Sequence, residues 1–436
     1  MNINNHTKTG IGLILFGLIS NKWLIGFFFS SDGKIEMNLF TNSILCIQFI
    51  LIILGTYLII KKPAIRKLSA LEILLLLFSI FFSFSMLELG ARIWLNKFAS
   101  AEQQSQYKLY TQINPQNLIW SPHPYLNYFP TPNYSKGLTK HNSLGFRGDE
   151  FSVKKPPQEF RIVTIGGSTT YTIKVKDNKK TYPAKLEEIL KSNYGYKKIE
   201  VINAGVGGYT SWESLINFEF RVLDLNPDLV IIYHGTNDVH ARLVNHKSYR
   251  GDNSGKIKSW KPPKVSLLDK SDLLRIFRRK LRYSNKNGVR NFVNTKNYLG
   301  IKNHSGREIG LKDRFSLLEQ NSPIYFKRNI SNMILIAQAN NIKVLLATWA
   351  HSSNSKDYSS DPAYQKGFKE HNKILMSLSQ ELHIPIFDFA NVMSKETKYW
   401  GDGRHLNEAG ALLKATLFAK YLHKNKLITV LKKRLQ

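Results

Sequence analysis

The sequence predicts an α/β protein, a mostly parallel sheet with helices on both faces, preceded by about three membrane-spanning helices. Three observations carry this. From residue 161 onward, short apolar runs of strand length alternate with amphipathic stretches of helical length, the signature of strands joined by helical crossovers. Residues 1–98 hold three long apolar runs, whereas the remainder has the composition of a soluble domain. Short stretches bearing Gly, Ser, Asn and His fall at the ends of the predicted strands, where open α/β sheets bind ligands.

The apolar runs cover about residues 10–29, 44–60 and 71–95. Each approaches the roughly 20 residues needed to cross a hydrocarbon layer. Asn21 and Lys22 interrupt the first, for which a cleaved signal peptide is the competing reading; without a convincing small-residue cleavage site after Phe29, three retained helices are expected. Lys61, Lys62, Arg66 and Lys67 lie between the second and third runs with no acid among them, which places that loop in the cytoplasm. The expected location is therefore the cell membrane, multi-pass, with everything after about residue 98 extracytoplasmic. Glu88 and Arg92, four apart, can pair on one helix face, and Trp94 and Trp23 suit interfacial anchors. Cys46 is the one cysteine, so no intrachain disulfide and no cysteine metal cluster can form.

Residues 99–160 are a linker or a collar of strands and turns packed on the following domain. Prolines at 122, 124, 130 and 132 forbid a helix, and Tyr125, Tyr128, Phe129 and Phe146 favour the collar. Arg147 either binds a carboxylate or pairs with Asp149, and the pairing is the simpler expectation.

Residues 161–424 form the main domain. Strands are expected at 161–165, 199–204, 229–233, 344–348 and 384–389, and helices at 182–194, 211–225, 325–340, 363–382 and 407–424. Regularity stops for about eighty residues after the third strand, and residues 425–436 are a basic tail.

The first strand ends in Gly166-Gly167-Ser168, which alone also describes an ordinary turn or a phosphate loop. Three further stretches follow at strand ends: 203–208 (NAGVGG), 235–238 (GTND) and 402–405 (DGRH). Ester cleavage needs a nucleophile, a base, a group that orients the base, and donors for the oxyanion. Ser168, His405 and Asp402 supply the first three. A glycine N–H, from Gly208 or its neighbour Gly207, and the Asn237 amide supply donors. Taken singly, Gly208 reads as a turn glycine, Asn237 as a cap, and Asp402 as a cap of the last helix. His234 and His351, also at strand ends, read as pocket lining or structural. No histidine pair has helical metal-binding spacing, so no metal site and no cofactor are expected.

These four blocks resemble those of the SGNH/GDSL hydrolases, in order and over roughly residues 161–424. The resemblance implies a flavodoxin-like three-layer α/β/α sandwich. It implies Ser168 as nucleophile, Gly208 and Asn237 as oxyanion donors with the Ser168 N–H, and Asp402 and His405 as the remaining pair. The stretches 123–129 (HPYLNYF) and 142–148 (NSLGFRG) resemble a segment that precedes the first block in membrane-anchored members. Two departures stand out: glycine replaces the acidic residue before the serine, and Thr170 breaks the Gly-x-Ser-x-Gly elbow of the α/β-hydrolases.

The formal net charge is +31. Residues 240–312 carry nineteen basic and four acidic residues, so much of the excess is local and marks a site for anions. This insertion, residues 240–320, directly follows Asn237 and should overhang the site. Ser271-Asp272 can cap a helix that sets Leu273, Leu274, Phe277 and Leu281 on one face, with Arg275, Arg278, Arg279, Lys280 and Arg282 around the rest. It reads as a solvated helix or as a lid meeting anionic lipid or an acidic glycan; nucleic acid is not expected. Together these readings describe a membrane-anchored extracytoplasmic serine esterase that removes acyl groups, acetyl foremost, from a cell-surface glycan or lipid-linked saccharide. The alternatives are an O-acyltransferase using the same triad and a catalytically silent scaffold in surface polysaccharide assembly.

Overall fold

The computed structural model describes residues 5–21, 24, 38–61, 69–262, 265, 267–282, 293, 294, 296–301, 308–355 and 357–429. The chain divides into two units, Met1–Asn114 with Lys261–Gly288, and Pro115–Trp260 with Val289–Gln436.

In the first unit, α1 (Asn5–Ile19) runs antiparallel to α2 (Asn38–Lys61). Gly10 backs onto the Gly55 carbonyl, where an added Cβ would lie 2.6 Å away, and Gln48 Nε2 donates to Gly17 O at 3.1 Å. Small residues that let backbones approach are the means by which apolar helices associate in lipid. Next, α3 (Ala70–Ile93) starts in a capping box of Ser69 and Glu72, carries no buried residue, and runs on through a π-turn, Trp94–Phe98. Two described helical stretches, Ile44–Lys61 and Ala70–Phe98, are long and apolar enough to cross a membrane. Of the first apolar run, residues 10–19 are helical as part of α1. Most of its remainder, with Trp23, lies outside the described residues, as do Lys62, Arg66 and Lys67 of the basic loop and residues 430–436 of the basic tail. The unit continues into α4 (Ala101–Tyr107).

The second unit opens with an antiparallel hairpin, Trp120–His123 against Asn127–Pro130, and a shorter ladder, Ser135–Lys136 against Thr139–Lys140. The main sheet follows: β1 (Phe160–Gly166), β2 (Ile199–Asn203), β3 (Leu229–Tyr233), β4 (Lys343–Ala347) and β5 (Ile386–Phe387), all parallel. Their spatial order is 2-1-3-4-5, the flavodoxin-like order, in which the chain reverses direction between β1 and β3. The helices between them are α5 (Tyr182–Tyr194), α6 (Ser211–Asn217), α7 (Thr236–Arg242), α8 (Asp272–Arg282), α9 (Leu311–Gln320), α10 (Ile324–Ala339), α11 (Pro362–Glu381) and α12 (Glu408–Lys424). All but α8 belong to this unit.

Every residue of β1 and β3 is buried because helices cover both faces of the sheet. Ile162, Leu229, Ile231 and Leu345 pack on one side with Leu186, Leu190, Phe418 and Leu422 of α5 and α12. Val163, Ile165, Val230 and Ile232 pack on the other with Phe326, Ile330 and Met333 of α10. Successive strand residues point to opposite faces, so two helical layers require the unbroken apolar runs seen in the sequence.

The structure departs from expectation at several elements. The predicted helix 211–225 is α-helical only to Asn217, then passes through a π-turn, Phe218–Val222, and a 3-10 turn. The wider π-turn puts Phe218 and Val222, both fully buried, on the core side. The predicted strand 384–389 pairs only through Ile386 and Phe387, since His383 has φ 51° and Pro385 has no N–H to donate. Helices α7 and α9 fall where no regularity was expected.

The basic helix α8 differs most from expectation, and lies in the first unit with α3 and α4 rather than with the sheet that carries Asn237. Arg275 is buried and donates from Nε to Tyr107 O at 2.6 Å, and Arg279 donates to Lys108 O at 2.8 Å. Ile276 packs with Leu95, Ala99 and Tyr107, while Phe277, expected on the buried face, is 45% exposed. The reason is that the last carbonyls of α4 have no intrahelical donor, and guanidinium groups supply it. Glu88 pairs with Arg92 at 2.8 Å as expected. It also accepts from Ser271 Oγ at 2.7 Å and from the Asp272 and Leu273 N–H groups at 3.0 Å each, so α3 caps α8.

Candidate active site

Ser168 opens a single helical turn, Ser168–Tyr171, at the carboxyl end of β1. It is 5% exposed, and its Oγ lies 2.7 Å from His405 Nε2. On the other side of the ring, His405 Nδ1 lies 2.8 Å from Asp402 Oδ2. Asp402 Oδ1 also accepts the backbone N–H groups of Arg404 and His405, at 2.9 and 2.8 Å. Burial opposes ionisation of Asp402, but the hydrogen bond from His405 and these two N–H groups outweigh it, holding the carboxyl well below the usual range. An ionised Asp402 fixes the proton on Nδ1, so Nε2 is the acceptor that faces the serine hydroxyl. The last helix is capped by Asn407, whose Oδ1 accepts from Gly410 N at 3.0 Å, which leaves Asp402 free of that task.

Asn237 is the second residue of α7, at the end of β3. One N–H of its Nδ2 donates to Tyr209 O at 2.8 Å, and a Cβ on Gly167 would lie 2.9 Å from the same atom, so the amide sits against the residue preceding Ser168. Next to it, Asp238 Oδ1 accepts from Ser211 N and Oγ at 2.8 and 2.6 Å, joining the starts of α7 and α6. Gly208 lies in the loop after β2 with φ 92°, a conformation that favours glycine. That loop is tied to β1 by Val206 N donating to Gly166 O at 3.0 Å. Tyr128 Oη donates to Gly207 O at 2.8 Å, and because the peptide is planar and trans this aims the Gly208 N–H the opposite way. Among the described residues, no acceptor takes the N–H of Ser168, that of Gly208, or the second Nδ2 hydrogen of Asn237.

Several residues hold this arrangement through contacts that the sequence did not indicate. Arg147 is buried and does not pair with Asp149. Its guanidinium donates to Asn178 Oδ1 at 3.0 Å and to the carbonyls of Tyr171, Thr172, Val175 and Lys176 at 2.6–3.3 Å. It therefore fastens the segment that leaves the Ser168 turn. Tyr171 is held again by His141 Nε2, 2.8 Å from its hydroxyl, and by the Trp120 ring at 5.2 Å. Tyr209 Oη donates to Tyr128 O, returning the contact that Tyr128 makes to Gly207. The available signal was the aromatic density of residues 120–146, which shows that something packs but not on what. Of the two strand-end histidines, His234 is buried beside Ser168, and His351 packs tilted against Phe368 at 4.9 Å between ring centres, with burial pushing its pKa down to about 4. Lys174 Nζ stands 3.4 Å from Asp402 Oδ2.

A parallel α/β sheet with serine, histidine and aspartate hydrogen-bonded in series at its carboxyl edge defines an SGNH-type serine hydrolase. The sequence profile of the GDSL-like Lipase/Acylhydrolase family matches residues 164–413, more than half of the chain. The chain belongs to that family and is an ester hydrolase. Solved structures similar to it include a GDSL-like lipase from Bacteroides thetaiotaomicron (18% identity, 62% of this chain and 92% of that one, TM-score 0.35). Others are the lipase/acylhydrolase from Enterococcus faecalis (17%, 61% and 96%, 0.36) and a catalytic mutant of an acetylxylan esterase from Geobacillus stearothermophilus (14%, 64% and 100%, 0.36). No curated protein sequence matches the chain.

Proposed function

We propose that the protein is a membrane-anchored, extracytoplasmic serine esterase that removes acetyl groups from a cell-surface glycan or lipid-linked saccharide. The observation that carries the reading is the Ser168–His405–Asp402 series, beside which the N–H groups of Ser168 and Gly208 and one hydrogen of Asn237 Nδ2 stay uncommitted among the described residues. In this mechanism Ser168 Oγ bonds to the ester carbonyl carbon as its proton passes to His405 Nε2. The oxyanion takes the N–H groups of Ser168, Gly208 and Asn237. The C–O bond to the sugar breaks, His405 returns the proton to the departing oxygen, and water, activated by the same ring, releases acetate and restores Ser168. Anchoring rests on α2 and α3, since α3 is apolar and exposed along its length, which suits lipid and not a soluble core. An anchored hydrolase meets esters displayed on the same surface, and Lys270 and Lys280, exposed on the insertion, favour an anionic one.

The test uses the full chain in detergent, with p-nitrophenyl acetate as substrate and a fluorophosphonate as label. Ser168→Ala should abolish both signals, and Asn237→Ala should lower kcat by about 100-fold or more. Labelling that persists in Ser168→Ala would sink the assignment. In cells, removing the protein should raise the acetyl content of surface polysaccharide; a fall would replace hydrolysis with acyl transfer.

A further inference from the structure

A small pocket opens beside Ser168. It is lined by Ser168 and Thr169 after β1, by His234, Thr236 and Asn237 after β3, and by Trp349 after β4. Its volume is about 10 Å³, room for one water or one methyl group. Trp349 forms the wall and cannot retreat. Its ring stacks on Tyr233 at 4.9 Å, and Asn372 brackets its backbone, accepting from Trp349 N at 2.7 Å and donating to Trp349 O at 3.1 Å. The indole lies so close over Gly235 that a Cβ there would stand 2.2 Å from Trp349 Cδ2, so the wall depends on the glycine of the 235–238 stretch.

The tetrahedral carbon on Ser168 assigns the pocket. The leaving oxygen must face His405, which protonates it, and the oxyanion must face the Gly208 and Asn237 donors. The remaining direction is left to the acyl substituent, and the pocket under Trp349 adjoins Ser168. We infer that this pocket is an acyl-length selector built from Trp349 over Gly235, which admits acetyl and excludes chains of four carbons or more. The inference rests on the esterase reading and gives its acetyl preference a structural cause.

The experiment measures kcat/KM of the full chain in detergent on p-nitrophenyl acetate, propionate, butyrate and hexanoate. The expected profile falls at least about 10-fold from acetate to butyrate, as for a methylene refused by a closed pocket. Trp349→Ala should raise the butyrate-to-acetate ratio about 10-fold or more. Should that variant fail to fold, rates of Ser168 labelling by methyl- and hexyl-substituted fluorophosphonates on the unaltered protein give the same comparison, methyl reacting faster. A flat or rising profile with chain length overturns the inference and leaves the esterase reading standing. No turnover at any length together with no labelling overturns both.

Discussion

Lys414 is buried in α12 with its Nζ 3.7 Å from the Tyr233 ring centre and 4.1 Å from that of Tyr182. Among the described residues it has no hydrogen-bond partner. A desolvated cation over an aromatic face gains about 2 kcal/mol, less than the several kcal/mol needed to bury the charge. Burial therefore drives its pKa well below the ordinary 10.5. The folded state then binds fewer protons than the unfolded chain, so stability rises with pH up to about the unfolded value and is lost as pH falls below it. Lys414→Met, which keeps the volume without the amine, should raise Tm at pH 7 by about 2–4 °C and flatten the climb in stability between pH 7 and 10. A lower Tm would show that the rings hold a charged ammonium. Arg147 makes the same point about legibility. Its charge invited a partner two residues away, yet the carbonyls it binds, 24 to 29 residues on, carry no mark in the sequence.

At the scale of elements, α8 shows how far a cap can lie from the helix it serves. Glu88 was legible as the i,i+4 partner of Arg92 because that spacing is local. Its acceptance of the Asp272 and Leu273 N–H groups, across some 184 residues, was not. Loss of an N-terminal cap costs about 1–2 kcal/mol, roughly a tenfold rise in local opening. Glu88→Ala should therefore speed tryptic cleavage within residues 275–282 by about tenfold in the intact, detergent-solubilised protein, with Glu88→Gln intermediate. Unchanged cleavage would mean that the inward arginines alone hold the helix. The aromatic hairpin 120–130 belongs to the same scale: through Tyr128 it sets the peptide that presents Gly208, although no catalytic block includes it.

For the whole molecule, the strand order 2-1-3-4-5 is what brings the site together. Ser168 follows β1 and Asn237 follows β3, the two strands between which the chain reverses, so their loops diverge and leave a crevice. His405 then arrives from the loop before α12, 237 residues from Ser168. The proposed extracytoplasmic placement follows from the cationic loop between the second and third apolar runs. A periplasm- or exterior-dependent reporter fused after Gln436 should be active, and a cytoplasm-dependent one silent. The reverse result would place the hydrolase unit inside the cell and remove surface glycans as substrates.

The sequence by itself determined the alternation of strands and helices, both of the long apolar helices, and which residues stand at the strand ends. Those features are written in periodicity, apolar length and turn chemistry, which act over a few residues. Helix α5 agrees with its expected limits for that reason, and β5 falls short of its own because a left-handed His383 and Pro385 interrupt its pairing. Only the tertiary structure decided which hydrogen of Asn237 stays uncommitted, where the arginines of α8 turn, and how much room Trp349 leaves beside Ser168. Each of these depends on groups distant in sequence meeting within hydrogen-bond or van der Waals range, and carbonyl acceptors and ring faces, unlike charges and periods, leave no pattern in the chain.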